Sequence, residues 1–285
     1  MQTHKQLKAR ASAFYDLHSA QRTFVMPCAW DAFSALLFER AGFQCLGTTS
    51  GGVNWVKGRK DYVYTTPADE MMRAYSEIAN AVGLPVSADL ENGYGGYADN
   101  VAATITASIS AGMVGGSIED TQVVPSDAKF TNGELYQLDV AVERIRAARA
   151  AADLAAFPYT LTGRCEVYYT SRSNPFAESV KRLNAYREAG ADCLFVPGLN
   201  NLRELEQLVK EVNGPVNFGM GATDSPITVP MLEDIGVRRI STGGGLARAT
   251  FGLLQNAAAE IVRSGSFDYL DAALSEESIN KLLEQ

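Results

Sequence analysis

Short apolar runs rich in β-branched residues alternate along this chain with longer stretches whose apolar positions recur at helical spacing. Such alternation is the pattern of βα units and a parallel sheet. The runs at 23–28, 44–50, 84–90, 114–119, 159–165, 192–198, 215–220 and 238–243 read as strands, and eight is the count that closes a barrel. Helical spacing predicts helices at 31–42, 67–83, 97–112, 139–154 and 174–190. Gly42, Gly83, Gly112, Gly190 and Gly236 stand where helical segments stop before a strand, each a candidate left-handed C-cap. The expectation is an α/β chain, a single (β/α)8 TIM-type barrel over 1–285, with an N-terminal helical segment at 1–22 and a C-terminal helical extension at 265–285. A doubly wound open sheet has the same periodicity and is the alternative.

One connection is unusual. Residues 121–138, TQVVPSDAKFTNGELYQL, form a long polar stretch of the kind that serves as a lid, with Lys129, Asn132 and Tyr136 as candidates to meet the far end of a ligand. Beyond Tyr269, Leu270, Leu274, Ile279, Leu282 and Leu283 recur at helical spacing and need a surface to pack on, such as a neighbouring subunit.

Composition narrows the class. With 285 residues, 46% hydrophobic and 20% charged, the chain can bury a large core and is not of disordered composition. A net charge of −8 and no basic stripe argue against nucleic acid or an anionic membrane as partner. No apolar run has signal-peptide or membrane-spanning character, so a soluble cytoplasmic protein is expected. Cys28, Cys45, Cys165 and Cys193 are scattered without a CxxC pair, as reduced buried thiols are. The histidines, His4 and His18, both lie ahead of the first apolar run. Acid–base chemistry would therefore fall to carboxylates, Tyr, Lys, water or a metal.

In a β/α barrel, chemistry sits at the C-terminal ends of the strands. Those ends carry Trp30 and Asp31; Ser50, Gly51 and Gly52; Asp89 and Glu91; Glu119 and Asp120; Arg164 and Glu166; Asn217; and Ser241 with Thr242. Asp31, just before AFSALLF, reads as a helix N-cap. Asp89, Glu91 and Glu119 at adjacent strand mouths repel one another unless a cation sits among them. With all-oxygen donors that cation is a hard one, Mg2+ or Mn2+, bound in part through water. The alternative is a structural network in which Arg164 or nearby lysines neutralise the acids. TTSGG offers freed backbone N–H groups and a hydroxyl to a carboxylate or oxyanion. Arg164 is suited to bidentate capture of a substrate carboxylate, or to an ion pair with Glu166 or Glu119.

TTSGG, ADLENGYG, SIED, GRCE, AGADCLFVPG and GVRRISTGGGLARA, in this order over nearly the whole chain, resemble the isocitrate lyase/phosphoenolpyruvate mutase superfamily, and its smaller PEP-mutase-like members above all. The resemblance implies a modified barrel whose last helix is exchanged between subunits, in dimers that pair into homotetramers. It implies a Mg2+-dependent reaction on a 2-oxo or 2-hydroxy acid that passes through an enolate. By motif, Ser50, Gly51 and Gly52 would hold the substrate carboxylate, Asp89 would bind the metal directly, and Glu91 and Glu119 would hold its waters. Asp61, in GRKD, matches a mobile-loop acid of the family, Arg164 its substrate-binding arginine, and Asn217 a further polar position of the site; Asp61, Arg164 and Glu119 are the expected catalytic set.

Departures from the family pattern narrow the chemistry. DLENGYG stands for the common DxDTGYG, and GRCE for ARTD or ARVE. The lyases' KKCGH is absent from 121–138, which disfavours authentic isocitrate or methylisocitrate cleavage, since that thiol is their acid. The expectation is a lyase or hydrolase acting on a carbon–carbon bond of a small, oxaloacetate-type acid. The alternatives are phosphonopyruvate-type carbon–phosphorus chemistry, and a non-catalytic barrel that binds a dicarboxylate.

Overall fold

The computed structural model describes residues 3–61, 66–122, 134–170, 173–221 and 226–284. The strands are β1 (Phe24–Met26), β2 (Cys28–Ala29), β3 (Leu46–Thr48), β4 (Val86–Asp89), β5 (Gly115–Glu119), β6 (Thr160–Arg164), β7 (Cys193–Phe195), β8 (Val216–Gly219) and β9 (Arg239–Ser241). All pair in parallel, in the order β1-β9-β8-β7-β6-β5-β4-β3-β2. β1 and β2 are the two pieces of the expected first strand, interrupted at Pro27, whose ring removes a ladder donor. One piece pairs with β9 and the other with β3, so the ring closes across the proline. The Pro27 carbonyl still accepts from Gly47 N at 2.8 Å, and Cys28 N donates to Thr242 Oγ1 at 2.9 Å. The fold is a TIM-type barrel and not an open sheet.

The helices are α1 (His4–Ser19), α2 (Ala32–Arg40), α3 (Ser50–Val56), α4 (Ala68–Ala81), α5 (Ala98–Ser110), α6 (Leu138–Asp153), α7 (Pro175–Glu188), α8 (Leu202–Glu211), α9 (Val229–Ile235), α10 (Gly245–Ser264) and α11 (Glu276–Leu283). Asp31 caps α2, accepting from Ser34 N at 2.7 Å. Gly42, Gly112, Gly190 and Gly236 take the left-handed conformation expected of them, with φ of 90°, 95°, 107° and 96°. Gly83 does not; its N–H donates instead to Glu39 Oε1 at 2.7 Å.

α1 plugs the bottom of the barrel. Its Phe14 and His18 are buried against Phe24, and Phe14 also lies against Gly115. Phe24 and Gly115 are the first residues of their strands, so α1 covers the N-terminal end and leaves the C-terminal end open. At the other terminus, α11 touches α2, with Arg40 Nε donating to Leu282 O at 3.4 Å. Leu253, Leu254, Val262, Phe267, Leu270 and Leu274, on α10 and the segment after it, are exposed.

Candidate active site

A cavity of about 940 Å³ opens at the C-terminal ends of the strands, a size typical of small-molecule sites. Ser50, Gly51, Asp61, Asp89, Glu91, Glu119, Arg164 and Asn217 all line it. The sequence expectations for these residues therefore converge on one wall-to-wall site.

Asp89 ends β4 and points across to α3. Its Oδ2 accepts from Ser50 N at 3.2 Å and Ser50 Oγ at 2.8 Å, while its Oδ1 accepts from Glu91 N at 3.4 Å. Tyr75, fully buried on α4, donates to the Asp89 carbonyl at 2.6 Å and fixes the strand end. The TTSGG stretch proves to be the entry of a helix: Thr49 is the N-cap of α3, accepting from Gly52 N at 3.2 Å. Gly52 is thus a packing residue, not a wall of the cavity, because a Cβ there would lie 2.7 Å from both Thr49 and Trp30 side chains. Gly51 serves the site differently: a Cβ there would lie 2.6 Å from Asp61 Oδ2, so only glycine admits the Asp61 carboxylate.

Glu91 follows β4 in the left-handed region, with φ 49°. That strain is a cost of order 1 kcal/mol that local structure must offset. The conformation turns the side chain inward, 8% exposed, where Tyr94 donates to Oε1 at 3.4 Å and Oε2 has no hydrogen-bond partner among the described residues. Burial, and then the charge of Asp89, raises the Glu91 carboxyl well above the ordinary carboxylate range. Glu119 ends β5; its Oε1 accepts from Thr121 Oγ1.

Arg164, from the end of β6, stands among these acids. Its Nη1 lies 3.4 Å from Asp89 Oδ1 and its Nη2 3.3 Å from Glu119 Oε2, while Nε contacts Glu166 closely. The η contacts are long for charge-assisted hydrogen bonds, so Glu166 is the anchor of the guanidinium. Glu166 is fully buried, and burial raises its carboxyl although Arg164 opposes the shift. Asp120 faces outward instead of into the cavity: it accepts from Arg182 Nη1 at 3.1 Å, Tyr186 Oη at 2.6 Å and Glu166 N at 2.9 Å. It positions the backbone that carries Glu166.

Arg164 thus fulfils the structural alternative for Asp89, Glu119 and Glu166, and leaves Glu91 Oε2 unmet. Among the described residues no group of at least 3 His, Cys, Asp or Glu side chains closes up to ligate an ion unaided. The donor set fits an oxygen-seeking ion that keeps most of its waters.

The ends of the 121–138 connection zip together beside Glu119: Thr121 bridges to Leu135, Gln122 N donates to Glu134 O at 2.9 Å, and Tyr136 N to Asp120 O at 2.9 Å. Tyr136 does not reach the cavity; its ring lies against Arg144, 4.3 Å from the guanidinium carbon. Lys129 and Asn132 lie outside the described residues. Cys165 is buried and is not among the residues lining the cavity, and burial pushes its thiol up, against the thiolate form that a nucleophile needs. Sequence reasoning missed Trp55, Tyr168, Tyr169 and Asn200, which also line the cavity. They come from α3 and from loops after β6 and β7, where aromatic and amide residues are common for ordinary reasons.

The family model described as phosphoenolpyruvate phosphomutase matches residues 14–262. A crystal structure from Burkholderia cenocepacia J2315, described provisionally as a lyase/mutase, is 40% identical, covers 99% of this chain and 98% of its own, and superposes with a TM-score of 0.91. An uncharacterized protein of Mycobacterium tuberculosis is 31% identical over 81% of each chain. The oxaloacetate decarboxylase of Pseudomonas entomophila is 28% identical over 81% of this chain and 77% of its own. The barrel, its acid-rich mouth and the match over 14–262 make this chain an enzyme of the phosphoenolpyruvate mutase/isocitrate lyase superfamily.

Proposed function

We propose that the chain is a Mg2+- or Mn2+-dependent enzyme that cleaves a carbon–carbon bond of a small 2-oxo or 2-hydroxy acid of the oxaloacetate type. The observation that carries this reading is Glu91: a buried carboxyl with an oxygen unpartnered among the described residues, beside Asp89, in a cavity where Arg164 is already shared by three other acids. A divalent ion bound at Asp89 would supply Lewis acidity, drawing electrons toward the substrate's 2-oxygen. Ser50 N–H and Oγ–H, now engaged by Asp89, would turn to the substrate carboxylate. The η nitrogens of Arg164 would pair with the same carboxylate and offset the negative charge that grows on the substrate as the bond breaks. Glu166 keeps the guanidinium aimed, and Asp61 borders the same wall at Gly51.

Carbon–phosphorus chemistry on a phosphonopyruvate-type substrate is the second reading. It is favoured by the Asp61 carboxylate, which stands against Gly51 where it could receive a transferred group or activate water. The exposed apolar residues of α10 and the segment after it support an assembly in which a second copy covers them, as in an exchanged C-terminal helix. Among the described residues no helix is long and apolar enough to cross a membrane, and a cytoplasmic location accords with the reduced, buried cysteines.

The test is a panel of oxaloacetate, methylisocitrate, citramalate-like acids and phosphonopyruvate with Mg2+, followed by pyruvate or phosphate release. Turnover of an oxaloacetate-type acid is expected, with Asp89→Ala or Arg164→Ala removing most of it, on the order of a hundredfold or more, and Cys165→Ser retaining much. Phosphate or phosphonate transfer in place of carbon–carbon cleavage would select the second reading. No turnover of any member, with ligand binding unchanged in Asp89→Ala, would sink the metal-enzyme reading.

A further inference from the structure

Below the carboxylates the barrel holds a second guanidinium, in neutral company. Arg239, at the start of β9, is 2% exposed and reaches from the α1 plug to the cavity floor. Its Nε donates to Asn217 Oδ1 at 2.8 Å and its Nη2 to Thr162 Oγ1 at 3.0 Å, and its Nη1 lies 3.2 Å from His18 Nε2. Arginine has no acceptor, so the chemistry of the other partners is fixed. The Asn217 atom beside it must be the carbonyl oxygen, and the His18 nitrogen must be the unprotonated one. His18 therefore carries its hydrogen on Nδ1 and donates to the Phe14 carbonyl at 2.8 Å. Burial, reinforced by Arg239, lowers the ring to about 3 and keeps it neutral.

With its oxygen bound downward, Asn217 turns its NH2 to Ser241, donating to Oγ at 2.9 Å. Ser241 accepts there, which leaves its hydroxyl hydrogen for the cavity that both residues line. The β8–β9 wall thus offers hydrogen-bond donors above a buried positive charge. It stands across the ring from β4 and β5, which carry Asp89 and Glu119. One side of the site suits a cation and the other an anion.

We propose that Arg239 is a positioning residue that locks Asn217 as a donor, making the β8–β9 wall a subsite for a carboxylate at the end of the substrate remote from Asp89. This rests on the reading of the site as a 2-oxo or 2-hydroxy acid site, and it makes the preferred substrate a dicarboxylate. Arg239 acts through Asn217 and does not itself need to touch the substrate.

Racemic malate and racemic 2-hydroxybutanoate, which differ only in whether the far end is a carboxylate or a methyl group, separate the contributions. Calorimetric titration with Mg2+ present should show malate bound at least about tenfold more tightly, the scale of a charge-assisted hydrogen bond. Asn217→Asp keeps a partner for Arg239 but presents an anionic oxygen to the cavity. It should weaken malate by at least about tenfold while leaving 2-hydroxybutanoate within about threefold and thermal stability unchanged. Arg239→Met frees the amide to turn over and should shrink the malate preference; if that variant does not fold, Asn217→Asp decides alone. Equal losses for both ligands, or no loss for malate, in Asn217→Asp would overturn the proposal. Wild-type protein that binds 2-hydroxybutanoate as tightly as malate overturns it too, while the metal-side reading stands. Binding of neither ligand overturns both.

Discussion

At the scale of the residue, the site is a set of charges whose company decides what each can do. Glu91, Glu119 and Asp89 look equivalent in sequence, yet only Glu91 combines a left-handed backbone, burial and an orphaned oxygen. His18 shows the same lesson at the far end of the barrel. Folding buries it beside Arg239 and lowers its affinity for a proton from the ordinary 6.5 to about 3. Between those values the unfolded chain binds the proton and the folded one does not, so this contribution to stability is full above pH 6.5 and is lost as pH falls toward 3. The Glu91 and Glu166 carboxyls, raised by burial, act in the opposite sense over part of this range, so the His18 share is read as a difference. The unfolding free energy of wild type minus that of His18→Gln, whose amide oxygen can accept from Arg239 without titrating, should fall by about 1.4 kcal/mol per pH unit below 6.5; a difference that does not change with pH would show that His18 contributes no such limb.

At the scale of the element, strand ends and helix starts do the positioning. α3 begins so early after β3 that Thr49 caps it and Ser50 sits at the cavity, which brings Ser50 N–H and hydroxyl to Asp89. The same tight entry puts Gly51 under Asp61. In Gly51→Ala the new methyl would start 2.6 Å from Asp61 Oδ2, and the carboxylate must shift. Misplacement of that order costs roughly a hundredfold in rate when the displaced group is catalytic. We expect kcat/KM to fall by at least about tenfold with little change in melting temperature. In an Asp61→Ala background the Gly51→Ala effect should vanish, because the group it displaces is gone; additive losses in the double variant would separate the two residues.

At the scale of the whole molecule, the barrel is closed at the bottom by α1 and open at the top, while many of its exposed apolar residues lie on α10 and the segment that follows. Leu254 and Val262 are 68% and 88% exposed, in a stretch that also leaves Leu253, Phe267, Leu270 and Leu274 outside the core. Exposed large apolar residues gathered in one stretch are covered by a partner more often than a scattered few are. Sedimentation should show at least a dimer, and Leu254→Asp with Val262→Asp should shift it toward monomer without unfolding the barrel. A monomeric wild-type protein at micromolar concentration would remove the case for subunit exchange.

Much of this protein is legible in one dimension. Alternating periodicity dictated βα units and a parallel sheet, because strand and helix periods are local properties, and a count of eight strands pointed to a barrel without excluding an open sheet. The rule that barrel chemistry sits at strand ends picked out Ser50, Asp89, Glu91, Glu119, Arg164 and Asn217, and the family resemblance added Asp61; all of them line the cavity. Tertiary structure alone decided which of them are spoken for. Periodicity could not show that Pro27 splits the first strand and lets its halves pair with different neighbours. Nor could it show that Gly52 is packing, that Tyr136 rests on Arg144, or that Asp120 turns outward. Arg239 stands inside the 238–243 strand with nothing in the sequence to single it out; only the ring of strands places it beside His18 and Asn217. Backbone preference travels through neighbouring residues, whereas the pairing of charges and the direction of an amide are set by whatever the fold brings within about 3 Å.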